Sequence, residues 1–183
     1  MAFNTEGYFD IDESLRVSEL ANTQTADIAM KVVRKGVQVE GESIRKYPNG
    51  SSLIDVLGYF FAGYTPGNAR RVYRSVTIVK HADVASSSLL SLLDTHADLK
   101  VTLSSYKAGG EAKSTDAQPS LEIVLDEAKL KAISIFTTAH SHLPMEILSF
   151  DFRQMTMSTR AQTRSGEQGP ARSCVIDNRG DRT

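Results

Sequence analysis

The sequence predicts a mainly β fold: antiparallel strands arranged as a barrel or sandwich, accompanied by one α-helix. Three observations predict it. Between residues 119 and 157 apolar side chains recur at every second position, first Leu121, Ile123 and Leu125, later Leu148, Phe150 and Phe152. That is the period of a half-buried strand, and on a helix the same residues would scatter round the axis. Residues 83–97, DVASSSLLSLLDTHA, are the one convincing helix, with apolar residues at helical spacing, while Ser14 to Leu20 make at most one or two helical turns. Finally, Gly, Pro and Asn cluster between the alternating runs, where turns need them.

Taken in order, residues 1–26 mix Phe3, Tyr8, Phe9, Ile11, Leu15, Val17 and Leu20 with acids. They read as an N-terminal arm, either loosely held or packed on a neighbouring subunit. Residues 27–39 read as a strand around Gly36. Tyr47-Pro48-Asn49-Gly50 is a turn in which Pro fixes φ and Gly accepts φ > 0. Residues 53–61, LIDVLGYFF, form a near-continuous apolar strand, expected to be covered on both faces or to meet another chain. A Gly- and Pro-containing loop follows at 62–71, then an alternating strand at 72–80.

In the helix at 83–97, Asp83 or one of Ser86 to Ser88 supplies the cap, and Leu89, Leu90, Leu92 and Leu93 form the stripe that lies over one face or open end of the sheet. Residues 98–107 are a strand, and 108–118 a polar turn in which Gly109-Gly110 serves backbone geometry. The alternation of the long strands then slips, because Met155 and Met157 are out of phase with Phe152. One extra residue near Arg153-Gln154, a β-bulge, would produce that slip. A polar loop at 158–171, a short strand at 173–177 and a charged tail complete the chain. The organisation is therefore an arm (1–26), a β domain (27–178) and a tail (179–183).

The 183 residues suffice for one domain that buries about 70% of its unfolded surface. Lys and Arg total 21 against 22 Asp and Glu, a net charge of −1, which argues against a nucleic-acid footprint and leaves little repulsion between copies. Cys174 is the single cysteine, so no internal disulfide forms. No apolar run reaches the length of about 18 residues that spans a membrane. The acidic start lacks the regions of a signal peptide, so export is expected by another route.

Candidates for chemistry are few. His140-Ser141-His142 reads as a solvent-facing turn; two histidines at this spacing would need a third ligand to hold zinc. His81 and His96 flank the helix as its partners. The sequence has no GxSxG elbow, no phosphate-binding loop and no GxGxxG. Asp126 and Glu127, adjacent on a strand, face opposite sides and cannot share a proton. No cofactor, metal site or enzymatic activity is expected. Arg70, Arg71 and Arg74 beside Tyr73 read as a solvated strand start or as an interface.

Several segments together resemble the haemolysin-coregulated protein (Hcp) family, the tube protein of type VI secretion systems. Ile54-Asp55-Val56-Leu57-Gly58-Tyr59-Phe60-Phe61 and the loop leading to Arg70-Arg71 are similar to the family's "I-x-V-L-x-x-x-W" strand and extended loop. Val76 to Leu93 resembles its "T-I-x-K-x-x-D-x-x-S-x-x-L" strand and helix, and Lys100 to Gly110 the strand and turn after that helix. Leu121 to Ile135 resembles "I-x-L-x-x-A-x-V-x-S-I", Pro144 to Met157 resembles "P-x-E-x-V-S-L-x-F-x-x-V-x-V", and Gln168 to Asn178 resembles the closing loop and strand. Residues 1–26 are extra, Phe61 stands where the family has Trp, and Thr137 to Leu143 replace a Gly-rich hairpin.

The resemblance implies a β-barrel of two packed antiparallel sheets with one helix. It implies homohexameric rings that stack into a tube, with a contractile sheath, spike and baseplate as partners and effectors as cargo. The protein would assemble in the bacterial cytoplasm and then be secreted. The ring-stacking loop falls on Tyr64, Thr65, Pro66, Gly67, Asn68, Ala69, Arg70 and Arg71, with Phe60 facing the lumen. Alternatives are a tail-tube protein of a phage or another contractile injection machine, a monomeric ligand-binding barrel, and a hydrolase.

Overall fold

A computed structural model of the chain describes residues 27–44, 47, 50–65, 67, 71–106, 118–137, 143–162 and 168–178. The arm at 1–26 and the tail at 179–183 fall outside them. The order of elements is β1 (Asp27–Arg34), β2 (Val37–Gln38), β3 (Ile54–Val56), β4 (Gly58–Phe60), β5 (Gly63–Tyr64), β6 (Val72–Tyr73), β7 (Val76–His81), α1 (Ala85–Asp94), β8 (Leu99–Tyr106), β9 (Leu121–Phe136), β10 (Met145–Asp151), β11 (Gln154–Gln162) and β12 (Gln168–Asp177). Among the described residues the mainly β expectation with one helix holds.

All pairings are antiparallel. The main sheet runs β2-β1-β8-β9-β10-β7-β4, with β11 and β12 branching from β9, and β5-β6 form a second, two-stranded sheet. The main sheet closes on itself. β3 pairs with β1 through Ile28–Val56 and Met30–Ile54, while β4, just beyond Leu57, pairs with β7 through Gly58–Val79 and Phe60–Thr77. A run expected to be one strand thus bends at Leu57 and bridges the first and last strands of the barrel. Its burial alternates, with Ile54 and Val56 buried and Asp55 exposed, so it is not covered on both faces.

The long strand β9 forms the opposite corner. Its first half pairs with β8 and β11, its second half with β10. The phase slip lies here, but it is shared by both strands. Burial passes from Leu125 to Ala128 on β9 and from Phe152 to Met155 on its partner, each a step of three residues, and the register across the corner is unchanged, from Lys129–Asp151 to Asp126–Gln154. Glu127 takes φ = 48° to make the bend, and the one-sided bulge lies instead opposite Ser149 and Phe150. Asn178 fastens the corner by donating from its backbone N–H to the Arg153 carbonyl at 2.7 Å and from its side-chain amide to the Phe152 carbonyl at 3.2 Å.

The inward residues, among them Met30, Val32, Ile54, Ile78, Val101, Leu103, Ile123, Leu125, Leu148, Phe150 and Met155, form one core. On the outer face of β1, Leu53 and Tyr47 pack on Ala29 and Tyr106, the two tyrosine rings stacked at 5.2 Å. Gly41 makes that approach possible, because a Cβ there would lie 2.3 Å from the Leu53 carbonyl oxygen. Burial pushes the Tyr106 phenol above its ordinary pKa, partly offset by a hydrogen bond with Ser104. Tyr47 and Gly50 close the expected turn, with the Gly50 N–H donating to the Tyr47 carbonyl at 3.2 Å.

Three local expectations are corrected. Gly36 is in a tight hairpin turn, φ 82° after Lys35 at 48°, and not inside a strand. The run 72–80 breaks at Arg74-Ser75, so Tyr73 belongs to the small sheet and Val76 to the barrel. The stretch 158–171 is largely strand, with β11 reaching Gln162 and β12 beginning at Gln168. A polar edge hairpin carries no apolar alternation, which is why the sequence reads as loop there.

The helix buries Ala85, Leu89 and Leu92, while Leu90 is 52% exposed. Its C-terminus is a complete Schellman motif: His96 N–H donates to the Leu93 carbonyl, Ala97 N–H to that of Leu92, and His96 takes φ = 47°. A non-glycine residue is strained there. His96→Gly is therefore expected to stabilise the protein by about 0.5–1 kcal/mol, the relief exceeding the added freedom of the unfolded chain. A raised urea midpoint at unchanged slope is the measurement that checks it.

Candidate functional site

The residues expected to carry assembly sit at the β5-β6 hairpin, which pairs Gly63 with Tyr73 and Tyr64 with Val72. It stands apart from the barrel sheet and is joined to it through Phe61 and Arg74. Arg74 N–H donates to the Ala62 carbonyl at 2.9 Å, so the hairpin leaves the barrel as a paired ribbon. Tyr64 is in β5, Thr65 follows it, Gly67 has φ = 26° and Arg71 precedes β6. Pro66, Asn68, Ala69 and Arg70 lie outside the described residues.

Aromatic contacts define the base of this hairpin. Phe61 stacks on Tyr73 at 6.3 Å between centroids and meets Phe152 of the core edge-on at 5.9 Å. The Arg74 guanidinium lies 5.8 Å from the centre of the Tyr64 ring. Phe61, the residue that replaces the expected Trp, thus anchors the ribbon to the barrel. Phe61, Gly63, Tyr64, Thr65, Arg71 and Tyr73 line a cleft of about 350 Å3. Phe60 ends β4 opposite Thr77 and is 38% exposed.

A second cluster escaped the sequence reading. Lys80 and Glu146 face each other across β7 and β10, both with fully buried side chains, and their Nζ and Oε2 atoms are 2.9 Å apart. The Lys80 ammonium also donates to Asp83 Oδ1 at 2.8 Å, to the His81 carbonyl at 2.7 Å and to Ser86 Oγ at 3.4 Å. Asp83 caps the helix by accepting from Ala85 N–H at 3.0 Å, and its own N–H donates to Ser86 Oγ at 3.0 Å. One ammonium therefore ties the helix start to two strands. The only sequence signal was a lysine on an inward phase of its strand.

His81 is partly buried at the end of β7, and His96 is the exposed helix-end residue described above. His140 and His142 lie outside the described residues. Among the described residues no group of three or more His, Cys, Asp or Glu side chains is placed to hold a metal ion. Cys174 is exposed and unbonded on β12. Among the described residues no helix is long and apolar enough to cross a membrane.

Comparison with known proteins bears on this geometry. Residues 30–158 match the family described as type VI secretion system effector, Hcp. The chain belongs to the Hcp family. Solved Hcp-like structures share its fold across nearly their whole length. A type six secretion system protein, 17% identical, superposes with a TM-score of 0.68 over 82% of this chain and 96% of its own. The secreted protein Hcp3 from Pseudomonas aeruginosa, 22% identical, gives 0.63 over 85% and 99%. A type VI secretion system effector from Yersinia pestis, 21% identical, gives 0.62 over 81% and 98%. No curated protein sequence matches the chain. The motif order read from the sequence thus identified the family, and the barrel with its one helix is the Hcp fold.

Proposed function

We propose that this Hcp protein is a structural subunit of a type VI secretion tube, built to join copies of itself and not to perform chemistry. Six copies close into a ring, and rings stack through Tyr64, Thr65, Pro66, Gly67, Asn68, Ala69, Arg70 and Arg71. A contractile sheath, assembled with spike and baseplate proteins, propels the stack, and effectors travel in a lumen that Phe60 faces. Residues 27–178 form the ring-building domain, between the arm at 1–26 and the tail at 179–183. Assembly takes place in the bacterial cytoplasm, and secretion follows.

Family membership over residues 30–158 carries this reading. Physical features support it. The β5-β6 ribbon projects from a closed barrel, and its Tyr64 and Val72 are 48% and 37% exposed, which suits a surface awaiting a partner. The net charge of −1 leaves copies free to approach.

Deleting residues 64–70 is expected to leave rings intact and abolish their stacking in negative-stain images. A deleted protein that still forms long tubes would overturn the loop's role. An intact protein that remains a single subunit at every concentration would overturn the tube reading itself.

A further inference from the structure

The cleft under the β5-β6 ribbon combines aromatic walls with an exposed guanidinium. Its walls are the rings of Phe61, Tyr64 and Tyr73, and Arg71 is exposed at its edge with Arg74 close by. None of the ion pairs among the described residues involves Arg71. Such a site suits a short segment that offers aromatic rings and carboxylates together, since guanidinium–carboxylate pairing and ring packing reinforce each other.

The chain carries one such segment. Residues 1–26 contain five acids against the single base Arg16, and Tyr8-Phe9-Asp10-Ile11-Asp12-Glu13 combines two rings with three carboxylates. This stretch precedes the part of the chain that matches the family, residues 30–158. The topology bounds the distance from its exit to the cleft. Asp27 opens β1, Ile28 pairs with both Val56 and Ser105, and Tyr59 reaches Ser105 at 3.2 Å between hydroxyl oxygens. Phe61 follows two residues after Tyr59, so the cleft is at most about 18 Å of extended chain beyond Val56. An arm of 26 residues, spanning up to roughly 90 Å when extended, reaches it with length to spare.

We propose that the segment Tyr8–Glu13 docks in the cleft formed by Phe61, Tyr64, Arg71 and Tyr73 of the same chain, its carboxylates against Arg71 and its rings against the aromatic walls. The test uses the full chain with Phe9→p-benzoylphenylalanine, photolysed at low protein concentration in a mixture of isotopically heavy and light chains, and mapped by mass spectrometry. The expected cross-link joins position 9 to the segment 61–73 within one isotopic species. Arg71→Glu should lower its yield about tenfold, the size of one lost partly exposed charge contact plus new repulsion, and adding Asp10→Arg with Asp12→Arg should restore it.

Arg71 is exposed, so its variants should keep the parent melting temperature, and Arg71→Gln replaces the glutamate variant if that one fails to fold. Cross-links elsewhere, cross-links between heavy and light chains, no cross-link, or a yield indifferent to Arg71 would each overturn the proposal. The readout needs no ring or tube, so it stands or falls separately from the assembly function.

Discussion

Lys80→Met is expected to destabilise the protein by about 3–5 kcal/mol, seen as a lowered urea midpoint at similar slope. The methionine fits the lysine's volume, so the loss comes from charge and not from a cavity. Glu146, whose side chain is fully buried, would lose its cation, and its Oε1 already lacks a hydrogen-bond partner among the described residues. Asp83 would keep its bond from Ala85 N–H but lose its ammonium. Removing one member of a buried pair leaves the other charge desolvated, whereas replacing both with apolar groups is often neutral or better. The double variant Lys80→Met with Glu146→Leu should therefore recover most of the loss. If the double variant falls as far as the two single ones added together, the ion pair is not the source of the effect.

Leu125→Asp is expected to cost on the order of 5 kcal/mol, comparable with the whole stability of many domains, and to leave little folded protein. Leu125 is fully buried on β9, opposite Val101 of β8 and Met155 of β11. A carboxylate there would enter an apolar environment with no cation facing it, and the leucine's packing would go as well. The same change at Ser134, exposed farther along β9, should move stability by less than about 0.5 kcal/mol. Circular dichroism melts of the two variants separate the outcomes, and equal melting temperatures would place Leu125 in solvent.

How much of this was legible in advance varies by element. Strands with one face in the core were readable because burial imposes the period of two, as on β8, β9 and β10. The helix was readable from its leucines, although Leu90 turned out to face solvent, since a stripe four residues wide exceeds what the sheet below can cover. The inner half of the β11-β12 hairpin was read as strand, but 158–162 and 168–171 were read as loop, because pairing along a solvated edge leaves no apolar pattern there. The candidate loop was legible as a Gly- and Pro-containing connection. That Phe61 and Tyr73 anchor it by stacking was not, because the two lie on opposite sides of that loop.

By itself, then, the sequence determined the inward faces of β8, β9 and β10, the helix with Asp83 or one of Ser86 to Ser88 as its cap and, through the order of its motifs, the family. Only the tertiary structure decided that Leu57 and Glu127 are the corners that close the barrel, and that Lys80 binds Glu146 from a strand far along the chain. The physical reason is range. Periodicity and capping act within a few residues, whereas strand closure and buried ion pairs depend on which distant segments the sheet register brings face to face.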